Sequence, residues 1–160
     1  MKTLGILLLI SVFAGLLTGC VEQSGTNGIS ISASTLVSVL DDKGNNLLDP
    51  EFEGAFKSEE IKIFYIRNGK IEEFFNPDLD MPRNFRVYKH EVTDEYMLVL
   101  GLEYETIVQW REGVTDTLRT EFYYFRENSG FRVDKIHYNG KVVYDYDATG
   151  GENPNFTIRK

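Results

Sequence analysis

Residues 131–146 read Phe131-Arg132-Val133-Asp134-Lys135-Ile136-His137-Tyr138-Asn139-Gly140-Lys141-Val142-Val143-Tyr144-Asp145-Tyr146. The pivot is Asn139-Gly140. A two-residue type I′ turn needs positive φ at both central positions, and Asn and Gly bear that at the least steric cost. The flanks are rich in β-branched and aromatic residues and lack a 3.6-residue apolar period, so they read as strands. The turn pairs His137 with Val142 and Ile136 with Val143. Asn68-Gly69 repeats the device between 60–67 and 70–75, placing Ile66 opposite Ile71 and Ile63 opposite Phe74.

Working outward, 115–126 precedes the first quoted run across Asn128-Ser129-Gly130. Residues 115–146 therefore predict a three-strand meander, with turns near Ser129 and at Asn139-Gly140. Further strand-like runs occupy 36–40, 85–90, 96–102 and 105–111, separated by Thr93-Asp94-Glu95 and Glu112-Gly113. Asp49 fits the cap of a short helical turn over 50–56. Two prolines mark 77–84 as an irregular loop. The expected fold is all-β: an antiparallel sandwich or open barrel of about eight strands, mostly hairpin-connected.

The 160 residues carry 17 basic and 25 acidic side chains, a net charge of −8. An acidic surface repels phosphate backbones, which argues against a nucleic-acid partner. A single cysteine excludes an intrachain disulfide framework and any multi-cysteine metal site.

That cysteine ends a recognisable leader. Met1-Lys2 gives a short positive start, followed by fourteen uncharged, mainly apolar residues, 4–17. A membrane-crossing helix needs about 20 apolar residues; fourteen suits the apolar region of a secretory signal. The stretch closes on Leu17-Thr18-Gly19-Cys20, which resembles the lipobox of bacterial lipoproteins. The resemblance implies lipid attachment to the Cys20 sulfur, cleavage after Gly19 and acylation of the new amino terminus. Two or more acyl chains anchor durably where one does not. Cleavage leaves 141 residues and a side-chain charge of −9, 16 basic against 25 acidic. The lipid, not a basic patch, would hold such a chain at a membrane.

The expected layout is a signal peptide over 1–19, a lipidated cysteine and flexible tether over 20–34, a β-domain over 35–147 and a loose tail over 148–160. Two alternatives stay open. Ile29 and Ile31 have the spacing of an edge strand, and 156–158 could form a last short strand. The runs Val39-Leu40-Asp41-Asp42-Lys43-Gly44-Asn45-Asn46-Leu47-Leu48-Asp49-Pro50 and Ile136–Val143, behind the lipobox, resemble small Bacteroides-type lipoproteins of unknown function. That resemblance implies an extracytoplasmic β-domain and carries over no catalytic residue.

Candidate chemistry is sparse. Asp41, Asp42 and Asp49 head the most acidic short stretch, 41–53, and are the candidate calcium ligands. Neither register of an EF-hand fits. From Asp41, Asn46 falls where glycine belongs and Phe52 where glutamate belongs; from Asp42, Leu47 takes the glycine place. An Asx-type turn accounts for the same residues. His90 and His137 have no metal-ligand spacing, and no nucleophile elbow or phosphate-cradling loop is present. Tyrosine suits sugar faces, being amphipathic. Tyr123, Tyr124, Tyr138, Tyr144 and Tyr146 are the candidate ligand-binding residues, against the reading that strand aromatics simply pack. Strand alternation sends one of Tyr123 and Tyr124 outward. Trp110 shares a face with Val108 and reads as core.

The sequence thus points to a lipid-anchored, extracytoplasmic protein at the outer membrane's periplasmic face or the cell surface. Its expected role is a non-enzymatic binding or structural module without a cofactor, partnered by the membrane through its anchor and by a glycan or envelope protein. A surface glycan-binding accessory protein is the alternative. A small carboxylate-dependent hydrolase is the third reading.

Overall fold

The computed structural model describes residues 33–125 and 130–160. Cys20, the signal peptide and Ile29 and Ile31, for which the sequence set expectations, lie outside these residues, as does the turn at Ser129. The described residues form ten strands: β1 (Ala33–Leu40), β2 (Lys62–Arg67), β3 (Lys70–Glu73), β4 (Phe85–Lys89), β5 (Tyr96–Leu102), β6 (Glu105–Arg111), β7 (Val114–Tyr124), β8 (Phe131–Tyr138), β9 (Lys141–Asp145) and β10 (Asn155–Arg159). They make two sheets, ordered β10-β1-β5-β4 and β3-β2-β6-β7-β8-β9. Neither closes into a barrel, so the sandwich is the architecture formed. All pairings are antiparallel except β1 with β10.

The reason lies in strand alternation. In β1, Thr35, Val37 and Val39 are buried while their neighbours are not. In β6, Thr106, Val108 and Trp110 alternate in the same way. Each strand sends one set of side chains inward and the other to solvent. The inward sets of both sheets meet in one core that includes Val37, Leu98, Leu100, Ile63, Val108, Leu118 and Ile136. Burying each such side chain contributes about 1.5–3 kcal/mol. Residues 47–61 fold over one end and add Leu48, Phe56 and Ile61 to that core.

The meander predicted for 115–146 is present as β7-β8-β9. The first Asn-Gly hairpin has the predicted register: Ile66 faces Ile71, and Phe74 N–H donates to the Ile63 carbonyl at 2.8 Å. In the second, His137 faces Val142 as expected, but Ile136 faces Tyr144 rather than Val143. Val143 is the extra residue of a bulge. The bulge turns Tyr144 into the core, where its hydroxyl donates to the Glu152 carbonyl at 2.7 Å.

Asn139 and Gly140 have φ of 47° and 81°. Gly140→Val should therefore cost about 1–3 kcal/mol, because a β-branched side chain is a steric outlier at positive φ. Gly140→Asn should be nearly neutral, as Asn tolerates that region. Equal urea midpoints for the two variants would contradict this account of the turn.

Three other expectations need correction. Residues 50–56 form no helix; Phe52 N–H bonds Asp49 O and Ala55 N–H bonds Phe52 O, giving successive turns. The tail is not loose throughout: Phe156 and Ile158 are buried, and 155–159 pair with β1 as β10. Ala33 and Ser34, expected in the tether, belong to β1 and pair with Leu102 and Gly101.

Candidate functional site

At one end of the sandwich β7 and β8 carry aromatic residues on both faces. Another irregularity of the sheet arranges them. Glu121 faces Lys135 and Phe122 faces Val133, so Asp134 is an extra residue on β8. The shift aligns Tyr123 with Arg132 on the outer face, and Tyr124 with Phe131 on the inner one.

On the outer face the Arg132 guanidinium lies 3.8 Å from the Tyr146 ring centroid and 4.7 Å from that of Tyr123. Its Nη2 donates to Asp134 Oδ1 at 3.2 Å. Its Nε is buried and has no hydrogen-bond partner among the described residues. Stacking of this kind holds a planar cation against ring faces. The Phe125 ring packs edge-on to Tyr123, centroids 5.5 Å apart. On the inner face Tyr104 packs edge-on to Phe122, which packs likewise on Phe131. The Tyr104 and Tyr124 hydroxyls hydrogen-bond each other. Burial and that bond push the Tyr124 phenol up to about 12, so it stays neutral at physiological pH. Tyr104, Tyr123, Tyr124 and Phe125 remain 52, 50, 43 and 38 % exposed.

The five tyrosines singled out in the sequence do not form one row. Tyr123 and Tyr124 are both exposed, on opposite faces, where one had been expected inside. Tyr144 is 3 % exposed and belongs to the core. Tyr146 lies against Arg132. Tyr138 sits at the far end of β8, where burial and the Asp116 carboxylate push its phenol up. Tyr104 and Arg132 were missed. Tyr104 sits in a short β5–β6 connection, and only the three-dimensional pairing brings it beside Tyr124.

Asp41, Asp42 and Asp49 do not converge. Asp41 Oδ1 accepts from the Lys43 and Asn45 amides, both at 2.8 Å, and its Oδ2 accepts from Asn45 Nδ2 at 2.7 Å. These bonds, that from the Asn45 side chain foremost, hold its carboxyl below the ordinary value. Asp49 Oδ1 accepts from the Glu51 amide at 3.0 Å. Both are Asx-type turns, their carboxylates engaged by their own backbone. Among the described residues no group of three His, Cys, Asp or Glu side chains could hold a metal ion. Calcium should leave the melting temperature of the domain unchanged. A ligand at 100 times its Kd stabilises by about 2.7 kcal/mol, so a rise abolished by Asp41→Ala would overturn that expectation. His90 and His137 are held separately, by Thr93 and by Glu121.

The hollows of the described surface include two of similar size. One, of about 590 Å³, has Leu48, Phe56 and Val87 in its wall and Glu51, Glu53 and Lys57 among its polar lining. The other, of about 520 Å³, runs from Ala33 and Ser34 past Phe131 and Arg132 to Tyr146 and Asn153.

No protein-family model, curated protein or solved structure matches the chain. The chemistry of its own residues therefore carries the functional argument.

Proposed function

We propose that the chain is a lipid-anchored protein of the bacterial cell envelope, held outside the cytoplasm, whose β-sandwich is a non-enzymatic binding or structural module. The observation that carries this reading is Leu17-Thr18-Gly19-Cys20 behind a fourteen-residue apolar stretch. The only sulfur nucleophile of the chain stands where a diacylglyceryl group is transferred. The partners of Asp116, the most buried acid among the described residues, fit a structural role. Asp116 accepts from Trp110, Asn139 and Lys160, which leaves it spent on architecture rather than free for proton transfer.

The glycan-binding alternative draws on the exposed rings of Tyr123 and Tyr124. A sugar platform needs rings sharing one plane, and these two point to opposite sides of β7, which favours the anchored module without a flat sugar-binding face. A glycan array probed with the protein tests that alternative directly.

The anchor is tested by expressing the chain and its Cys20→Ala variant with labelled palmitate. The native chain should take up label and partition into the detergent phase. The variant should take up none and stay in the aqueous phase or retain its leader. Label that survives the substitution would overturn the proposal.

A further inference from the structure

The exposed aromatics lie at the end of the sandwich where the described chain begins. Ala33 pairs with Leu102, two residues before Tyr104. It shares a hollow with Phe131, Arg132 and Tyr146. The Tyr104 carbonyl accepts from Thr120 N–H at 2.9 Å, tying that loop to β7. Only twelve residues separate Cys20 from Ala33. Whatever its conformation, a segment of that length reaches at most roughly 45 Å. If Cys20 bears the lipid, this end is the one brought to the bilayer.

The surface chemistry suits that position. Tyrosine and phenylalanine present apolar rings, and tyrosine adds a hydroxyl that stays wet; such residues are enriched where headgroups meet hydrocarbon. Several of the described charges near them are paired within the fold. Arg132 pairs with Asp134, Arg67 with Glu103 and Arg119 with Glu121. Desolvating paired charges costs less than desolvating lone ones.

We infer that Tyr104, Tyr123, Tyr124 and Phe125 form a docking surface that rests in the headgroup layer of the membrane carrying the anchor. The inference rests on the anchor reading and adds an orientation: β7 and β8 point at the bilayer, and the Glu112-Gly113 turn points away. With a mature side-chain charge of −9, docking uses the rings rather than attraction to anionic lipid. It should therefore be no stronger on vesicles containing phosphatidylglycerol than on phosphatidylcholine vesicles.

The test uses the full lipidated chain in phosphatidylcholine vesicles. Single cysteines replace Tyr124, Tyr123 or Glu112 and carry a fluorophore read by iodide quenching. The same labels in a Cys20→Ala background, in solution, give the free-surface reference. Labels at 124 and 123 should lose most of their iodide quenching on vesicles, while the label at 112 keeps it. Two probe positions guard against one variant failing to fold. Equal quenching at 124, 123 and 112 on vesicles would overturn the docking surface while leaving the anchor intact. Shielding at 124 already present in solution would overturn it too, because another occupant would cover the face. Failure of the native chain to sediment with vesicles would reject the anchor and the docking together, and sedimentation separates that result from the others.

Discussion

Trp110→Ala is expected to destabilise the domain by about 3–5 kcal/mol, the range for removing a large aromatic from a core that collapses only partly. Trp110 is 0 % exposed. Its ring stacks on Phe56, centroids 5.4 Å apart, and so joins β6 to the segment that closes the end of the sandwich. The Lys160 ammonium lies 5.6 Å from its centroid. The indole Nε1–H donates to Asp116 Oδ2 at 2.5 Å. Domains of ordinary size hold only about 5–15 kcal/mol of stability, so this one change removes a large share. Trp110→Phe keeps the stacking ring and loses the donor, and it should cost about 1–3 kcal/mol for the acceptor left behind. Urea titrations would check both. Midpoints for Trp110→Ala within error of the native chain would contradict the packing described.

The second large effect concerns Asp116, which is 6 % exposed. Asn139 Nδ2 donates to its Oδ1 at 2.8 Å, while Trp110 and the Lys160 ammonium donate to its Oδ2. Asp116→Ala leaves the half-buried Lys160 ammonium, the buried Trp110 Nε1–H and the Asn139 amide without their acceptor, which costs about 3 kcal/mol, the lower end for breaking a fully buried pair. These bonds join the Asn139-Gly140 turn to the end of β10, since Lys160 follows that strand directly. Burial pushes the Asp116 carboxyl up, but bonds from Lys160, Asn139, Trp110 and Tyr138 together outweigh it and hold the group below its ordinary value. A depressed carboxyl stabilises the fold above the unfolded-state value of about 3.9. That contribution is lost as pH falls through the lower folded-state value. Thermal scans of the native chain should show melting temperature dropping across that acidic window. In Asp116→Asn the part of the drop due to this group should vanish. An identical acid profile in the variant would assign the pH dependence to other carboxylates.

The sequence made the sheets legible where local chemistry dictates geometry. Asn68-Gly69 and Asn139-Gly140 specify their own backbone, so both hairpins could be placed before any tertiary information. Register was legible only up to the first irregularity. The bulge at Val143 and the extra residue Asp134 answer to packing across the sandwich: Tyr144 gains a core position and an acceptor in Glu152. Nothing local to either run announces that. β10 was half legible, because alternation in Phe156-Thr157-Ile158 is visible but its parallel partner, β1, lies over a hundred residues away. The same limit applies to the surface. Tyr123 and Tyr124 could be named from their strand, whereas Tyr104 and Arg132 join them only through pairing between strands. Asp116 drew no attention in sequence because a single acid in a strand reads as solvent-facing. Its burial follows from three partners contributed by β6, the β8–β9 turn and the residue after β10.

The proposal as a whole turns on the amino terminus, and mass spectrometry of the protein extracted from membranes tests it most directly. The account predicts a chain beginning at Cys20, 141 residues long, with a diacylglyceryl group in thioether linkage and an acyl group on its α-amine. A chain that retains Met1–Gly19, or begins elsewhere, or carries a Cys20 thiol open to alkylation, would contradict it.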